Sequence, residues 1–537
     1  MPSHFHRLLL ALALQLAEPL ASGASAAEEA VEVLVIGAGV SGLTTAYELL
    51  NAGVPGARIA ILEQRHQPGG RTINIDVPGY EGKKVEAGGT WIGGTQDRVA
   101  SLSRELGLTP EGNDFFHTYY DIDKTTLWGK EIYTDDDGAK CTPIQDAWPT
   151  ANQKACTQTG TGLDFPTGKE LLLLRELRTM AKLVSMVDPW NSKLAHLDNT
   201  TVLKWMQEHG YGDQADVTFV NSLVGIPLNA NISQISMLFY LFYENSCPSL
   251  DDSGFTGGAQ DWRFTAGSQE LSLRLAANVT ARGVRILYNT SVESVVNTIE
   301  SVRITSFPTG GGGEDTVWTA KQAVVAMGTG DAGRLQYTGI TNQRQALMDG
   351  WIEDRGGGLK FFLIYETAFW RRPFYNGSAA IPAIGVGLNA NKGTGEFYFD
   401  YSDQSGIPGV LAGFASGGGQ GTVSPSGDGG INVTPAQREA YLAKQVCKLS
   451  NLALLPGSCD HVGYTEQRWN LSEPVGGTSN IVQYMAPGTL TSLGPSWRKA
   501  IGRLHWAGSD TAVRWMGYID GAVESGQRVA REVTATL

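Results

Sequence analysis

The chain has little to ligate a metal with. It carries five cysteines and eight histidines in 537 residues. No CxxC pair and no His/Cys ligand spacing occurs, which gives no basis for a zinc site or any other metal centre. A Ser/His/Asp nucleophile signature is also missing, and His461 and His505 read as structural. Positive charge is scarce. Lys and Arg total 41 against 54 Asp and Glu, for a net charge of −13. That balance argues against nucleic acid and anionic membrane as partners. The apolar run Leu8–Ala17 falls short of the ~20 residues a membrane span needs. No apolar tail follows the last helix before Leu537. No membrane anchor is therefore expected.

What is present is a chain for two or more sizeable domains, 42% hydrophobic and with few low-complexity stretches. Its first residues are basic up to Arg7, then apolar, then Pro19 and small residues through Ala27. This pattern predicts a secretory signal peptide over residues 1–26, with cleavage among Ala24, Ala26 and Ala27. Seven N-x-S/T sequons agree with secretion: Asn199, Asn231, Asn278, Asn289, Asn376, Asn432 and Asn470. Cys141/Cys156 and Cys447/Cys459 are near enough in sequence to pair, leaving Cys247 free. The glycine-rich stretches 308–315 and 416–430 read as loops.

The stretch VEVLVIGAGVSGLTTAYELLNAG, Val31 to Gly53, carries a dinucleotide fingerprint. Val31–Ile36 reads as a buried parallel strand and Ser41–Asn51 as a helix. Between them, Gly37 permits the tight turn. Gly39 lets backbone approach a pyrophosphate, and Gly42 lets helix and strand pack closely. The helix N-terminus favours phosphate charge. A second strand, Arg58–Leu62, ends at Glu63, where an acid accepts ribose hydroxyls. QRHQPGGRT follows, with a second glycine turn and Arg71 for more of a long cofactor. The segment Lys84–Leu108 ends in an amphipathic helix with Val99, Leu102, Leu106 and Leu108 on one side. Gln322–Met327 reads as a later strand, and Leu504–Trp506 as another that feeds the turn Gly508–Asp510.

Five blocks together resemble the flavin-containing amine oxidases, the monoamine oxidases in particular. They are LEQRHQPGGRT, GGTWIGGTQDRVASLSRELGL, GGAQDWRFTAGSQELSLRLA from Gly257, GGLKFFLIYETAFWR from Gly357, and LHWAGSDTAVRWMGYIDGAVESGQRVAREV. They occur in the family's order and cover most of the chain after residue 26. The resemblance implies an α/β fold: a Rossmann-like FAD-binding domain interleaved with an α+β substrate domain, of amine oxidase/p-hydroxybenzoate hydroxylase-like topology. The FAD domain would use residues 30–108, 265–335 and 472–537, and the substrate domain 109–264 and 336–471.

The resemblance also implies roles. FAD would be held by Gly37, Gly39, Val40, Ser41, Gly42, Glu63, Arg65, Gly70, Arg71, Thr72, Gly89, Thr90, Trp91, Val292, Trp469, Gly508, Asp510 and Ile519. Asp510 would accept a ribityl or phosphate-side hydrogen bond. Gly517 would remove a side chain beside the flavin. The amide near Ile519, at a helix N-terminus, would face the flavin carbonyl and stabilise reduced, anionic flavin. Lys360 would hold a water near flavin N5, and Tyr518 would form one wall of an aromatic cage that orients the amine. Gln260 would lie in the substrate cavity.

This chain departs from the family at two positions. Thr478 stands where the covalent-flavin cysteine would be, so FAD is expected to be non-covalent. Ser479 stands where the second cage tyrosine would be, which opens the substrate side. Tyr484 is the nearest aromatic that could swing in. The alternatives for Glu86, a solvated strand end or a cofactor role, stay open, as do cavity and core roles for Trp91 and Trp262. The expected activity is oxidation of an amine to an imine with O2 reduced to H2O2, with no catalytic nucleophile. The alternative is a dedicated tailoring oxidase or oxidocyclase on one bulky nitrogen-containing metabolite. The GGTWIGGTQ turn has neither the arginine of L-amino-acid oxidases nor the glutamate of polyamine oxidases, so both rank lower.

Overall fold

The computed structural model describes residues 27–117, 132–134, 157–160, 168–221, 228, 230–247, 259–351, 359–371, 385–389, 394–415, 434–446, 460–469 and 484–537. Two sheets organise these residues. The larger has eight strands, contributed by three separated stretches of chain. Its parallel part runs Arg285–Leu287, Ile59–Leu62, Ala27–Ile36, Thr316–Ala326 and Leu504–Ala507, side by side. The long strand Thr316–Ala326 serves two neighbours on one edge. Its first half pairs antiparallel with Val302–Pro308 and its second half parallel with Leu504–Ala507. Thr290–Asn297 and Gln336–Thr338 complete the sheet.

The inner parallel strands are apolar on both faces because both are covered, one by helices and the other by Val295, Val302, Ile304 and Trp318 together with Ala332 and Met348. Val33–Ile36 and Ile59–Leu62 are fully buried. Helices Val40–Asn51, Gln269–Ala281 and Ile519–Thr534 pack together on one face, through Leu43, Leu271, Leu275, Val523 and Val529. The first strand begins at Ala27 rather than Val31, because Ala27–Ala30 pair with Thr316–Thr319. That extension depends on a partner some 290 residues away, so no local signal announces it. The amphipathic helix spans Asp97–Glu105. Val99 and Leu102 are buried on it, Leu106 is its C-cap, and Leu108 is buried just beyond.

The second sheet is antiparallel, with order Gly385–Asn389, Thr394–Asp400, Gly409–Ala415, Leu359–Tyr365, Gly463–Arg468. Leu359–Tyr365 is buried along its whole length, and Lys360 is buried with it. Helix Met237–Ser246 is apolar nearly all round, as a helix inside a core must be. It packs with Trp497, Trp515 and Met516. The alternation of the two sheets along the chain is the interleaved α/β fold expected from the sequence. Among the described residues, no helix is long and apolar enough to cross a membrane.

Candidate active site

The first glycine turn joins the strand Ala27–Ile36 to the helix Val40–Asn51. Gly37 adopts φ +106°, and a Cβ there would lie 2.6 Å from the Ala326 carbonyl. A Cβ on Gly42 would lie 2.0 Å from the Gly37 carbonyl, so only glycine lets this helix approach its strand. Gly39 differs. A Cβ there would meet nothing closer than the Gly69 carbonyl at 4.0 Å. The space is open where a pyrophosphate would approach. Gly39 caps the helix without any side-chain hydrogen bond, which leaves first-turn amides available to an anion. Val40 and Ser41 are buried in that first turn.

The second glycine turn docks against the first. Gly69 N donates to the Ala38 carbonyl at 3.0 Å, and Gly39 and Gly69 form a parallel bridge. Gly70 adopts φ +57° with its Cα side against Gly39. Thr72 Oγ1 donates back to the Gly69 carbonyl at 2.9 Å. Glu63 sits under both turns. It accepts from Ala38 N at 2.7 Å and from Arg65 N at 2.9 Å, and burial raises its pKa against those two bonds. The expected ribose acceptor therefore also ties the two turns together, one amide on each oxygen. Each carboxylate oxygen keeps a second lone pair for a hydroxyl. Arg65 donates to the Gly70 carbonyl at 2.8 Å, and Val292 lies half-buried two residues along from Thr290, whose N–H donates to the Glu63 carbonyl at 2.9 Å.

The C-terminal stretch closes over these turns. Gly508 adopts φ +120°, with the Met327 carbonyl 2.6 Å from where a Cβ would stand. Asp510 follows, almost fully buried, and its Oδ2 accepts from Thr329 N at 2.7 Å and from the Thr329 hydroxyl. Its Oδ1 makes no hydrogen bond, and Arg71 Nη2 stands 3.8 Å away. Arg71 donates to Ser509 Oγ at 3.0 Å. A buried carboxylate oxygen without a donor is costly unless a ligand supplies one. Gly517 adopts φ +84°, and the helix Ile519–Thr534 starts at Ile519 without a side-chain cap. Its first-turn amides are therefore left without a side-chain cap.

A third turn, Gly88–Trp91, meets this helix. A Cβ on Gly89 would lie 3.4 Å from Ile519 Cγ1. A Cβ on Gly88 would lie 1.9 Å from the Arg71 carbonyl and 2.9 Å from Trp469. Trp469, buried behind the turn, donates to the Ala87 carbonyl at 2.8 Å. Lys360 lies beneath the turn with no exposed surface. Its Nζ donates to the Gly88 carbonyl at 3.0 Å, Thr90 Oγ1 at 2.8 Å and Tyr401 OH at 2.9 Å. It is not a surface lysine at a strand start. Burial pushes its pKa well below the usual lysine range, against the pull of Glu86. Its three close polar contacts are all to protein atoms, which leaves a water contact only by exchange with one of them.

Glu86 is not a solvated strand end. It is 1% exposed and pairs with Arg263 at 2.9 Å, both side chains buried. Burial opposes the Arg263 charge, but Glu86 and Tyr401 outweigh it and hold the guanidinium above its ordinary pKa. Sequence reasoning missed Arg263 and Tyr401. An arginine inside the strand Trp262–Phe264, with apolar neighbours on both sides, was the signal for the first. Tyr401 offered none.

On the other side of the helix start, Tyr518 is half-buried with its ring 5.0 Å from Trp515, edge to face. Burial raises its pKa, and Cys247 and Tyr243 lie close to it. Cys247 is a buried free thiol, as the sequence expected. Gln260 is half-buried in the turn before Trp262–Phe264. Trp91 packs edge-on against Tyr401 at 6.0 Å, and Trp262 is buried in the core under the large sheet. Tyr484 is 2% exposed, packed in the core that holds Trp515. His505 bridges Gln322 and Glu532, a structural position. Ser479, Thr478 and the paired-cysteine candidates lie outside the described residues.

Three glycine turns, an uncapped helix start and an orphaned buried carboxylate oxygen fit a long dinucleotide. They define a dinucleotide-binding protein. Residues 40–534 match the family model of flavin containing amine oxidoreductase. The chain belongs to that family. It is 26% identical over 509 residues to a probable flavin-containing monoamine oxidase A of Dictyostelium discoideum, covering 94% of this chain and 98% of that one. It is 26% identical over 519 residues to amine oxidase [flavin-containing] A of Sus scrofa, covering 94% and 85%. Among solved structures, cyclohexylamine oxidase from Brevibacterium oxydans superposes with a TM-score of 0.72 at 23% identity, covering 94% of this chain and 99% of that one. Putrescine oxidase bound to putrescine gives 0.72 at 23% identity, covering 95% and 100%. These structures share the fold. The protein is an FAD-dependent oxidoreductase acting on amines.

Proposed function

We propose that this chain is a secreted amine oxidase that uses non-covalent FAD and passes its electrons to O2. The observation that carries the reading is Lys360, a fully buried amine beneath the Gly88–Trp91 turn, with the uncapped start of helix Ile519–Thr534 on the turn's other side. FAD, when bound, supplies the two-electron acceptor. The amine loses a hydride equivalent from its α-carbon and a proton from nitrogen, forming the C=N bond. O2 takes up both electrons and two protons as H2O2.

The chain's own residues do the rest. The Gly37–Gly42 turn and Glu63 bind the nucleotide end. Asp510 Oδ1 and Arg71 offer an acceptor and a cation in the middle. The first-turn amides of Ile519–Thr534 would favour negative charge at that helix start once FAD is bound. Tyr518 orients the amine. Thr478 in place of a cysteine supports non-covalent attachment, and the pattern over residues 1–26 together with the sequons supports secretion. Ser479 in place of a tyrosine supports a substrate larger than a simple monoamine, which is the tailoring-oxidase reading. The substrate is a neutral amine that meets Tyr518 on one side.

The test is an anaerobic mixture of the purified protein with benzylic, aliphatic, polyamine and amino-acid substrates. Bleaching of the flavin band by a simple amine supports an ordinary amine oxidase. A band that stays oxidised with every panel member refutes that reading and leaves the dedicated tailoring oxidase. Acid precipitation adds the attachment: a yellow supernatant is expected, and a yellow pellet overturns it.

A further inference from the structure

The polar cluster beneath the Gly88–Trp91 turn is assembled from four distant parts of the chain. Glu86 comes from the strand Lys84–Glu86, Arg263 from Trp262–Phe264, Lys360 from Leu359–Tyr365, and Tyr401 from the end of Thr394–Asp400. Tyr401 is held at both ends. Arg263 Nη1 donates to the Tyr401 carbonyl at 2.9 Å, while the same guanidinium lies 3.8 Å from the centre of the Tyr401 ring. Arg263 is fixed in turn by the Glu86 carboxylate at 2.9 Å. The Tyr401 hydroxyl donates to the Glu86 carbonyl at 3.2 Å. Glu86 thus anchors the phenol through its backbone and the guanidinium through its side chain.

The hydrogen-bond directions at Lys360 Nζ follow. The Gly88 carbonyl can only accept. Thr90 Oγ1 also lies 2.6 Å from Tyr401 OH, and either can donate to the other. In either arrangement the remaining hydroxyl hydrogen goes to the Gly88 or the Glu86 carbonyl, and both oxygens keep a lone pair for Nζ. Three acceptors meet Nζ. An ammonium has three N–H groups and a neutral amine two. Burial works the other way and drives the lysine toward neutrality. Other groups near Nζ are apolar or already engaged. Trp91, Phe362 and Phe414 surround it, and Glu466, one position along the neighbouring strand, pairs with Arg438.

We propose that Tyr401, locked by the Glu86–Arg263 pair, is a positioning residue that completes a tripod of acceptors for Lys360 and so keeps a proton on a buried lysine beside the flavin. The inference rests on FAD binding at this site, not on which amine is oxidised. Losing one acceptor of a charged donor should cost the ammonium enough to lower its deprotonation pH by about one unit.

The experiment is a potentiometric titration of the holoenzyme with dithionite as reductant, at pH values from 6 to 10. A group whose proton is linked to flavin reduction puts a change of slope in the plot of midpoint potential against pH. K360M identifies the change of slope that belongs to Lys360, since it should remove it. Y401F should move that feature down by about one pH unit, and T90V should do the same. T90S, which keeps the hydroxyl, should leave it in place. If Y401F fails to fold, T90V reads the same acceptor count. A Lys360 feature that stays put or moves up in Y401F and T90V overturns the proposal, as does a plot that K360M leaves unchanged. No amine is used, so absent turnover with every amine would count against the amine-oxidase reading alone.

Discussion

Asp520 gives a pH dependence that can be worked through. It is the second residue of the C-terminal helix and has no exposed surface. Its Oδ1 accepts from Val99 N at 2.9 Å and so caps the start of helix Asp97–Glu105, whose N-cap Gln96 supplies no side-chain bond. Its Oδ2 makes no hydrogen bond, with Arg98 Nη1 at 3.7 Å. Burial raises its pKa from 3.8 to about 6, partly countered by the Val99 bond and by Arg98. The gap of about two units corresponds to about 3 kcal/mol. The folded state binds this proton more tightly than the unfolded chain does. The contribution is therefore fully present below about pH 4 and is lost as pH rises through about 6. Asp520→Asn keeps the shape and the acceptor for Val99 but does not titrate. The stability of Asp520→Asn minus that of the natural protein should grow by about 3 kcal/mol between pH 4 and pH 7.5. Urea unfolding of both proteins, followed by tryptophan fluorescence across that range, measures the difference, and groups common to both cancel. A difference that stays flat within about 0.5 kcal/mol, or shrinks with pH, refutes the reasoning.

Gly42→Ala should abolish flavin retention on a desalting column, because its Cβ would stand 2.0 Å from the Gly37 carbonyl and push the helix off its strand. Glu86→Gln should destabilise the protein by about 3–5 kcal/mol, since it strands the buried Arg263 charge. Glu86→Leu with Arg263→Met should recover most of that loss in urea melts, and a double variant no better than Glu86→Gln would count against the pair as described. Asp510→Asn should weaken FAD binding about 10- to 100-fold in fluorescence titration of the apoprotein, because a charge-assisted contact at the orphaned oxygen is lost. An unchanged dissociation constant would remove Asp510 from the cofactor site.

Much of the nucleotide half was legible because its determinants are local. Gly37, Gly39 and Gly42 lie within six residues, and the positive φ of Gly37 and the approach of Gly42 to the Gly37 carbonyl act across one turn. Glu63 closes a strand whose apolar run is continuous. The polar cluster was not legible. Glu86, Arg263, Lys360 and Tyr401 are separated by 41 to 177 residues along the chain. No periodicity links positions brought together by sheet packing. Glu86 read equally well as a solvated strand end because its burial comes from Arg263 and Tyr401, not from its neighbours in sequence.

By itself the sequence determined the dinucleotide turn, because backbone constraints on glycine and a terminal acid are written at short range, and its five motif blocks carried the resemblance that implied FAD and the family. The tertiary structure alone decided how those pieces are held. It put Glu63 between two turns, left one oxygen of Asp510 without a donor, and surrounded Lys360 with three acceptors. The physical reason is desolvation. A charged group's behaviour depends on what replaces the water around it, and here the replacements come from strands and turns that only the folded chain brings together.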